Sequence, residues 1–343
     1  MSTRKIIFNK LKALDPERLN LLANKIAKEN NKSVSYVKRD MIKNFLKHRI
    51  GYTDYFKGNY INLSEKRKKD FVTSRNFINI LEYLNPEEYR IVMLNKLIFN
   101  KIFKDYLKRE FLDVRVTTEE EIKKFLKNKK NVFAKPITNF GGHGIKKVKV
   151  SDIKDINKFK KELLDNKQYL LEEEIIQHKL LNEINPYCVA SLRIATLYKD
   201  GEVYAFDNVI RIGLDDNPAL ACRDGNQRFD NDGIPQSRFW DDDGNTYDEH
   251  PLTGYKIANL KKLPYTKEAV EMVKEAAKLI PEIRYIGWDV AITDNGPLII
   301  EGNEYPSYGP VQNYMLNSAN EGHLKQIKDI IGEEEFSKIK LNK

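Results

Sequence analysis

The amino-acid sequence predicts an α+β protein in which a helical N-terminal region precedes a core of antiparallel hairpins. Apolar residues between Pro16 and about His48 recur at helical spacing. Two later segments, 189–213 and 285–306, read as strand, turn and strand. The strands are expected to be antiparallel hairpins with helices before, between and after them, which is typical of the α+β class.

Length and cysteine content exclude several classes of protein. The 343 residues, 41% of them hydrophobic, can form two or three domains or one elaborated unit. Cys188 and Cys222 lie far apart and only five histidines are present, so neither a disulfide framework nor a zinc site is indicated. No stretch reaches the apolar length of a signal peptide or a membrane span. We therefore expect a cytoplasmic protein.

The formal net charge of +9 favours an anionic partner. Nucleotide phosphates, nucleic acid, nucleotide-sugars and a membrane surface all meet that requirement. Because the lysines are dispersed along the chain, a solvated basic surface is the simpler explanation. Charge alone does not choose between these readings.

The N-terminal region is expected to be helical to about residue 90. Two short helices are predicted between Pro16 and His48. Residues 51–64 interrupt the helical period with aromatic residues and glycines, and a further polar helix is predicted to start at Ser64 and run toward residue 80.

The remaining elements are predicted from periodicity and turn chemistry. Residues 94–108 are expected to be helical, and 131–150 to form a strand, a glycine loop and a second strand. The first hairpin is predicted to turn at Asp200 and Gly201. A long polar excursion then occupies 213–263. Further helices are expected near 152–165, at 266–280 and near 319–340.

The second hairpin allows side-chain faces to be worked out. A three-residue loop at 294–296, with its glycine in the left-handed conformation, would pair Thr293 with Pro297. Asp289 would then lie directly opposite Glu301. Residues that oppose each other across a ladder share a face of the sheet.

The same alternation sorts the hairpin into an apolar face and a polar face. Asp289, Glu301 and Asn303 share the polar face, and their oxygen atoms suit Mg²⁺, which proteins usually hold through one or two carboxylates together with substrate phosphates. The alternative is a solvated strand face that carries acids by chance. The apolar face is expected to consist of Val290, Ile292, Leu298 and Ile300.

A glycine-rich loop follows a strand that contains a lysine. The strand ends in Lys135, and Phe140, Gly141, Gly142, His143 and Gly144 follow it. Such a loop lets the backbone approach and cradle phosphate groups. An ordinary hairpin turn is the alternative, and no Walker pattern is present.

The order and spacing of these motifs resemble the ATP-grasp superfamily, and most closely its sugar-transfer-associated group, whose members accompany surface-polysaccharide gene clusters. The resemblance runs from about residue 50 to residue 315. Its motifs are GYTDYF at 51–56, NYINLSEKRK at 59–68, Asn95-Lys96, FAKP at 133–136, LLEEEIIQH at 170–178, NPYCVASLRIATL at 185–197, RIG at 211–213, HPLTG at 250–254 and GWDVAITDNGPLIIEGN at 287–303.

The resemblance implies a two-lobed ATP-grasp core that binds ATP and Mg²⁺. Lys96 and Lys135 match the lysines that such enzymes direct at ATP phosphates. The glycine loop, in which His143 also lies, matches the segment that closes over those phosphates. The linker between the lobes, whose backbone reads the adenine edge, is matched by Glu173, Glu174, Ile175 and Ile176.

Two arginines match the residues that, in related ligases, face the transferred phosphate. These are Arg193 in the strand SLRIAT and Arg211 at the end of its partner strand. The guanidinium fork suits phosphate, although each arginine alone would more often form a surface ion pair. The implied reaction is phosphoryl transfer from ATP to a carboxylate, followed by attack of an amine on the acyl phosphate to form an amide.

The resemblance also implies an organisation of the chain, and composition separately indicates a role for its long polar excursion. The predicted regions are a helical N-terminal region at 1–90, an N-lobe with the glycine loop at 91–175 and a C-lobe with the metal hairpin at 176–343. The excursion at 213–263 is expected to select the acceptor. Its arginines, Arg223, Arg228 and Arg238, are expected to contribute to that selection.

The chain departs from the family pattern in three places. No acid for the ribose hydroxyls is obvious after the linker, the excursion carries FDNDGIP at 229–235 beside DDDGN at 241–245, and the front of the chain lacks a βαβ start. These departures leave the nucleotide preference and the substrate pocket open. No general base is identifiable, and the candidates are His143, His178 and His250.

Several functions remain open at this stage. A ligase would use a small-molecule carboxylate, such as a sugar acid or a nucleotide-sugar, and an amine, and would associate with glycan-assembly enzymes. A kinase of a sugar or hydroxyl acceptor would differ only in the acceptor. A nucleotide-binding scaffold without catalysis is a further alternative. An RNA-binding protein is disfavoured, because no aromatic and basic strand pair is present.

Overall fold

The structure is a computed structural model. It describes residues 16–138, 144–206, 208–217, 224–316 and 321–341. The chain forms two compact units, one from Met1–Ile80 together with Tyr308–Lys343 and one from Leu81–Ser307. The predicted boundaries of the N-lobe and C-lobe stay predictions.

The first unit begins with helices, as predicted. Helix α1 is Pro16–Glu29, α2 is Val34–His48, and the short α3 is Tyr52–Lys57. Their apolar faces enclose a core of aliphatic and aromatic side chains, namely Leu22, Ala23, Ile26, Ala27, Val37, Met41, Ile50, Tyr55, Phe56, Tyr60, Leu63 and Phe71. The predicted pair of helices between Pro16 and His48 is confirmed.

A single helix from Ser64 toward residue 80 was a wrong prediction. The structure has a 3₁₀ turn at Arg67–Asp70 and a separate helix α4 at Ser74–Leu84. Between them Val72 is fully buried, and both its N–H and its C=O are hydrogen-bonded to the side-chain amide of Gln312. Because these backbone groups bond to a side chain, the helical ladder is interrupted there.

The second unit starts with short helices that lead into a four-stranded antiparallel sheet. Its helices are α5 (Ile91–Leu94), α6 (Lys96–Ile102), α7 (Lys104–Leu107), α8 (Glu119–Leu126) and α9 (Ile156–Asp165). Its strands are β1 (Phe111–Asp113), β2 (Asn131–Lys135), β3 (Lys146–Lys149) and β4 (Leu170–Glu173), in the order β1-β4-β2-β3. The predicted pair of strands around the glycine loop is β2 with β3. Strand β1 and helix α8 were not predicted.

A larger antiparallel sheet completes this unit. After α10 (Lys179–Ile184) come β5 (Ser191–Lys199), β6 (Glu202–Ala205), β7 (Asn208–Gly213), β8 (Asp224–Phe229) and β9 (Trp240–Asp241), and then α11 (Thr266–Ala277), β10 (Tyr285–Thr293) and β11 (Gly296–Asn303). The strand order is β11-β10-β5-β7-β8-β9, with β6 paired to β5. The turn at Asp200 and Gly201 is confirmed, since both residues have positive φ.

The excursion at 213–263 contains strands that its composition did not predict. Strand β8 pairs with β7 along its whole length, and β9 extends the sheet by one more strand. The Phe239 ring lies against Gly225 of β8, where an added Cβ would come within 2.1 Å of the ring. Strand β8 was not predicted because it lacks the alternation of apolar and polar residues that marks a strand. It carries Asn226, Gln227 and Arg228 in succession.

The chain ends in helices α12 (Gly309–Gln312), α13 (His323–Ile331) and α14 (Glu333–Ser337). The single helix predicted near 319–340 is therefore divided. Gly332, between α13 and α14, has a φ of +84°, which a helix cannot contain. Within the described ranges, no helix is both long enough and apolar enough to span a lipid bilayer.

The α+β class and the helical N-terminal region are confirmed. Strands of the second unit carry most of the candidate site residues, and their antiparallel registers decide which side chains meet.

Candidate active site

Asp289 and Glu301 lie opposite each other on β10 and β11, as predicted. The loop that joins the strands is shorter than predicted, since Thr293 pairs with Gly296 and not with Pro297. Gly296 has the positive φ expected of it, +103°. The pairing of Asp289 with Glu301 is recovered by a β-bulge, in which the ladder passes from Val290–Ile299 directly to Asp289–Glu301 and skips one residue of β11.

The bulge also corrects the predicted apolar face. Val290 and Ile292 belong to the main core as expected, but their partners on β11 are Ile299 and Pro297. Leu298 and Ile300 were wrongly placed on this face, because the shorter loop shifts the register before the bulge. Ile300 is the residue that the ladder skips.

Asp289 is 6% exposed, and three side chains make four hydrogen bonds to its carboxylate. Ser191 Oγ donates to Oδ1 at 2.9 Å, and Arg193 donates from Nε to Oδ1 at 2.8 Å and from Nη2 to Oδ2 at 2.9 Å. Asn303 Nδ2 donates to Oδ2 at 3.2 Å. The three predicted oxygen-bearing residues therefore do converge, and an arginine binds both oxygens of one of them.

The two carboxylates have opposite electrostatic environments. Burial alone would raise the pKa of Asp289, but the charge and hydrogen bonds of Arg193 hold it below its ordinary value. Burial raises the pKa of Glu301, and the negative charge of Asp289 raises it further, against the opposing charges of Lys96, Lys135 and Arg193. A cation placed between the two carboxylates would relieve this repulsion.

The donor set fits a hard divalent cation that also binds phosphate. Asp289, Glu301 and Asn303 offer oxygen atoms and no thiolate or imidazole, and Mg²⁺ commonly takes only one or two carboxylates from the protein. Among the described residues, no group of three or more His, Cys, Asp or Glu side chains is arranged to hold a metal. A site built here would therefore need substrate oxygen atoms to complete it.

Lys96 and Lys135 lie near each other and near Glu301. Lys96 is the first residue of α6, and its backbone N–H donates to Ile137 O at 2.9 Å, just beyond the end of β2. Burial lowers the pKa of Lys96, and the neighbouring charge of Lys135 lowers it further, whereas Glu301 and Glu172 act in the opposite direction. The structure thus brings both predicted phosphate lysines to the carboxylate pair.

Glu172 is a site residue that the sequence reading missed. Its side chain is buried on β4 and pairs with Lys135 from the neighbouring strand β2. Asn100 Nδ2 donates to its Oε1 at 2.6 Å, and Arg109 Nη2 lies 3.2 Å from the same oxygen. Burial opposes its negative charge, but Arg109 and Lys135 outweigh burial and lower its pKa.

Glu172 could have been found from the strand pattern. In the run LLEEE it falls within a buried strand, whereas Glu173 ends that strand. A buried acid needs a cationic partner, and the period of two pairs it with the face that carries Lys135. Glu172, and not a residue of 173–176, is therefore the acid that orients the lysine.

The glycine loop is described only in part. Gly141, Gly142 and His143 lie outside the described residues. Gly144 has a φ of +78°, and its carbonyl accepts from Gln168 Nε2 at 2.8 Å. A side chain at position 144 would be strained in this conformation.

The linker residues lie at and beyond the end of β4. Glu173 Oε2 accepts from the backbone N–H of Glu110 at 3.1 Å. Glu174 binds Asn131 Nδ2 at 2.8 Å and Lys147 Nζ at 2.6 Å. Ile175 is half-buried, whereas Ile176 is 68% exposed, unusual for an aliphatic side chain of this size.

Arg211 lies on the strand next to Arg193, as predicted. It pairs with Ser191 across β7 and β5, and its Nε donates to Asp224 Oδ2 at 2.6 Å. Its charge also helps to lower the pKa of Asp289. Asp224, on the unpredicted strand β8, was missed because nothing in the sequence marked it.

Two of the candidate general bases, His178 and His250, occupy structural positions. His250 is buried, its Nε2 lies 2.7 Å from Gly213 O, and burial lowers its pKa. His178 precedes α10, and its Nε2 lies 3.5 Å from Asp294 Oδ1 in the turn of the second hairpin. His143 lies outside the described residues. Neither His178 nor His250 contacts the carboxylate pair.

No curated protein matches the sequence significantly. Among solved structures, the fold resembles the ATP-grasp ligase PsnB complexed with a minimal precursor, with 13% identity, a TM-score of 0.42 and coverage of 72% of this chain and 62% of that one.

Two further solved structures are similar. One is the ADP complex of PurK, an N5-carboxyaminoimidazole ribonucleotide synthetase, with 12% identity, a TM-score of 0.43 and coverage of 70% of this chain and 51% of that one. The other is D-alanyl-alanine synthetase A from Vibrio cholerae, with 12% identity, a TM-score of 0.43 and coverage of 73% of this chain and 66% of that one. The chain thus spans between about half and two thirds of the length of these structures.

The family is established by a match between this sequence and a family model. Residues 75–328, well over half of the chain, match the family model described as sugar-transfer associated ATP-grasp. That range contains both lysines, both arginines and the carboxylate pair. The chain belongs to the sugar-transfer associated ATP-grasp family.

Proposed function

We propose that this protein is an ATP-dependent carboxylate–amine ligase that forms an amide through an acyl phosphate. One observation supports the proposal most. The positive charges of Lys96 and Lys135 oppose the rise in the pKa of Glu301 that burial and Asp289 cause, so the lysines suited to ATP phosphates and the carboxylates suited to a metal belong to one site. Family membership supports ATP as the substrate that this site binds.

ATP is proposed to bind between the two sheets of the second unit. Lys96 and Lys135 offset the charge of the phosphates, and the backbone around Gly144 approaches them closely. The linker at 173–176 reads the adenine edge through its backbone groups. The exposed side chain of Ile176 provides an apolar surface that a purine ring can cover.

The proposed metal ligands are Asp289, Glu301 and Asn303. Mg²⁺ held there would supply positive charge that offsets the charge on the transferred phosphoryl group. Arg193, Ser191 and Asn303 already donate four hydrogen bonds to the two oxygens of Asp289, so a metal that binds there would have to displace one of them, and we propose that the ion pair with Arg193 loosens. The released guanidinium would then be available to phosphate.

Arg193 and Arg211 are proposed to act at the transfer step. A carboxylate oxygen of the acceptor attacks the γ-phosphorus of ATP, the bond to the bridging β,γ-oxygen breaks, and ADP leaves. The amine then attacks the acyl carbon, inorganic phosphate leaves with the bonding electron pair, and the amine loses its proton. The arginines hold the phosphoryl oxygens in position and offset their charge.

The family description favours a substrate connected with sugar transfer. We propose a carboxylate on a sugar acid or nucleotide-sugar and a small amine, used in the cytoplasm during synthesis of a surface polysaccharide or sugar conjugate, with glycan-assembly enzymes as partners. The positive charge around the site suits an anionic acceptor.

The proposal is tested by measuring ADP release from Mg-ATP with a panel of sugar acids, each with and without amino acids or simple amines. A ligase requires both acceptor and amine for sustained release and produces an amide detectable by mass spectrometry. Release that needs no amine and yields a stable phosphorylated product would identify a kinase. Tight ATP binding without release in any mixture would identify a non-catalytic nucleotide-binding protein.

A further inference from the structure

The β-bulge in the second hairpin is held by one arginine. Arg109 lies between α7 and β1 and is 9% exposed. Its Nη1 donates to Ile299 O at 2.6 Å, and its Nη2 donates to Ile300 O at 3.0 Å. These carbonyls belong to the skipped residue and to the residue before it, so the planar guanidinium binds the bulge itself.

The bulge decides which way the side chain of Glu301 points. On the turn side of the bulge, Val290 pairs with Ile299. If that ladder continued without a bulge, Ile300 would lie opposite Asp289, and Glu301 would lie opposite Trp288 on the core face. A slip of one residue moves every later side chain to the other face of a sheet. The carboxylate pair therefore depends on the bulge.

The same guanidinium also contacts the acid that orients the phosphate lysine. Arg109 Nη2 lies 3.2 Å from Glu172 Oε1, and Glu172 pairs with Lys135. One buried side chain thus joins β4 of the smaller sheet to β11 of the larger sheet. The proposed function gives a role to the groups at both ends of this connection, the Lys135–Glu172 ion pair and Glu301.

We infer that Arg109 is a positioning residue that fixes the register of β11, keeps Glu301 opposite Asp289 and couples this pair to the Lys135–Glu172 ion pair. The role in metal binding rests on the proposed function, whereas the role in the register does not. Arg109 touches neither ATP nor acceptor in this scheme and acts through the residues that it holds.

The neighbouring Lys108 provides a matched control. Its Nζ donates to Pro297 O at 2.9 Å, on the same strand but on the turn side of the bulge. Lys108→Met therefore removes a contact with β11 that does not reach the skipped residue. Arg109→Lys retains a positive charge beside Glu172 but cannot bind two carbonyls with a planar fork.

The first measurement is amide hydrogen exchange of the peptide that covers residues 297–303. Arg109→Lys should exchange at least about tenfold faster there, while Lys108→Met should change residues 299–303 little. If Arg109→Lys does not fold, Arg109→Gln is measured in its place. Unchanged exchange in the arginine variant, or an equal increase in both variants, would overturn the inference about register.

The second measurement is a Mn²⁺ titration of the full-length protein with ADP, followed by electron paramagnetic resonance. Arg109→Lys should bind Mn²⁺ on the order of tenfold more weakly, the usual effect of losing a group that orients a metal ligand. Its affinity for metal-free ADP should stay within about threefold of wild type. Equal loss of ADP affinity would indicate general damage and contradict the coupling.

The two measurements separate this inference from the proposed function. If the wild-type protein binds no Mn²⁺ with ADP, the ligase proposal and the coupling both fail. Faster exchange in Arg109→Lys would still establish the role of Arg109 in the register.

Discussion

Arg193 donates hydrogen bonds to both carboxylate oxygens of Asp289, at 2.8 and 2.9 Å. An arginine on β5 therefore neutralises a proposed metal ligand on β10 and occupies one lone pair on each of its oxygens. A divalent cation that binds Asp289 has to compete with this arginine, and the competition gives the first prediction.

Arg193→Met should bind Mn²⁺ severalfold more tightly than wild type at pH 8, because the competing cation is removed. Turnover should nevertheless fall by about 10²–10³, the usual cost of losing one group that stabilises developing charge. Metal affinity is measured by electron paramagnetic resonance and turnover by ADP release. Weaker Mn²⁺ binding in this variant would show that Arg193 supports the metal site and does not compete for it.

Asp289→Asn and Glu301→Gln should each abolish metal-dependent ADP release while leaving the circular dichroism spectrum unchanged, because both acids are proposed ligands of the metal. Asp294→Asn, in the exposed turn of the same hairpin, is the matched control and should retain activity. Near-normal ADP release from both ligand variants would remove the metal assignment.

Glu301→Gln should also increase stability at neutral pH. Burial and Asp289 raise the folded pKa of Glu301 above its unfolded value of 4.5. Between these two values the folded state binds more protons than the unfolded state, so stability falls as pH rises through that window. The variant lacks this loss and should melt roughly 2 °C higher at pH 7. Identical melting curves of variant and wild type from pH 4 to 8 would contradict the assigned shift.

Glu172→Gln should destabilise the protein by about 3 kcal/mol, because it leaves the buried Arg109 without a counter-charge. Arg109 and Lys135 lower the folded pKa of Glu172 below its ordinary value of 4.5. Its contribution to stability is therefore complete above pH 4.5 and is lost as pH falls through the folded pKa. Denaturant unfolding should show variant and wild type converging in acid. Glu173→Gln, which removes a more exposed charge, should cost much less.

The sequence predicted those parts of the site that depend on local alternation. Arg193 and Arg211 were placed on adjoining strands, and Asp289 opposite Glu301, because a period of two residues fixes the face of each side chain. The correct pairing of the carboxylates nevertheless came with a wrong loop length. The β-bulge restored the register that the shorter loop had shifted. Because Arg109, which binds this bulge, is distant in sequence, the residues around the bulge do not reveal it.

The parts that were missed depend on contacts between segments distant in sequence. Glu172 is bound by Asn100 and Arg109, which precede it by 72 and 63 residues. Asp224 lies on a strand whose polar residues hide its period. Val72 interrupts a predicted helix because Gln312, 240 residues later, binds its backbone. Prediction from sequence patterns uses residues that are close together in the chain, so it does not detect contacts between distant segments.

The last prediction concerns acceptor selection by the excursion at 213–263, for which we propose Arg228 as the principal residue. In the larger sheet Arg193 pairs with Val209, and Val209 pairs with Arg228. Residues that pair across successive strands share a face, so Arg228 lies on the face that carries Arg193 and Arg211, the arginines proposed to act in phosphate transfer. Arg228→Met should therefore raise the acceptor KM on the order of tenfold and change the ATP KM little.

Arg238 provides the comparison within the same excursion. Its partner is Asp248 at 3.3 Å, and both side chains are mostly exposed, so Arg238→Ala should have a smaller effect on acceptor kinetics. Arg223, the third arginine that is expected to select the acceptor, lies outside the described residues. Its substitution tests the same proposal. An excursion that only supports the fold would lower the melting temperature of these variants without changing acceptor preference. Loss of ATP binding with unchanged acceptor kinetics in Arg228→Met would place this strand at the nucleotide and refute the proposed division of labour.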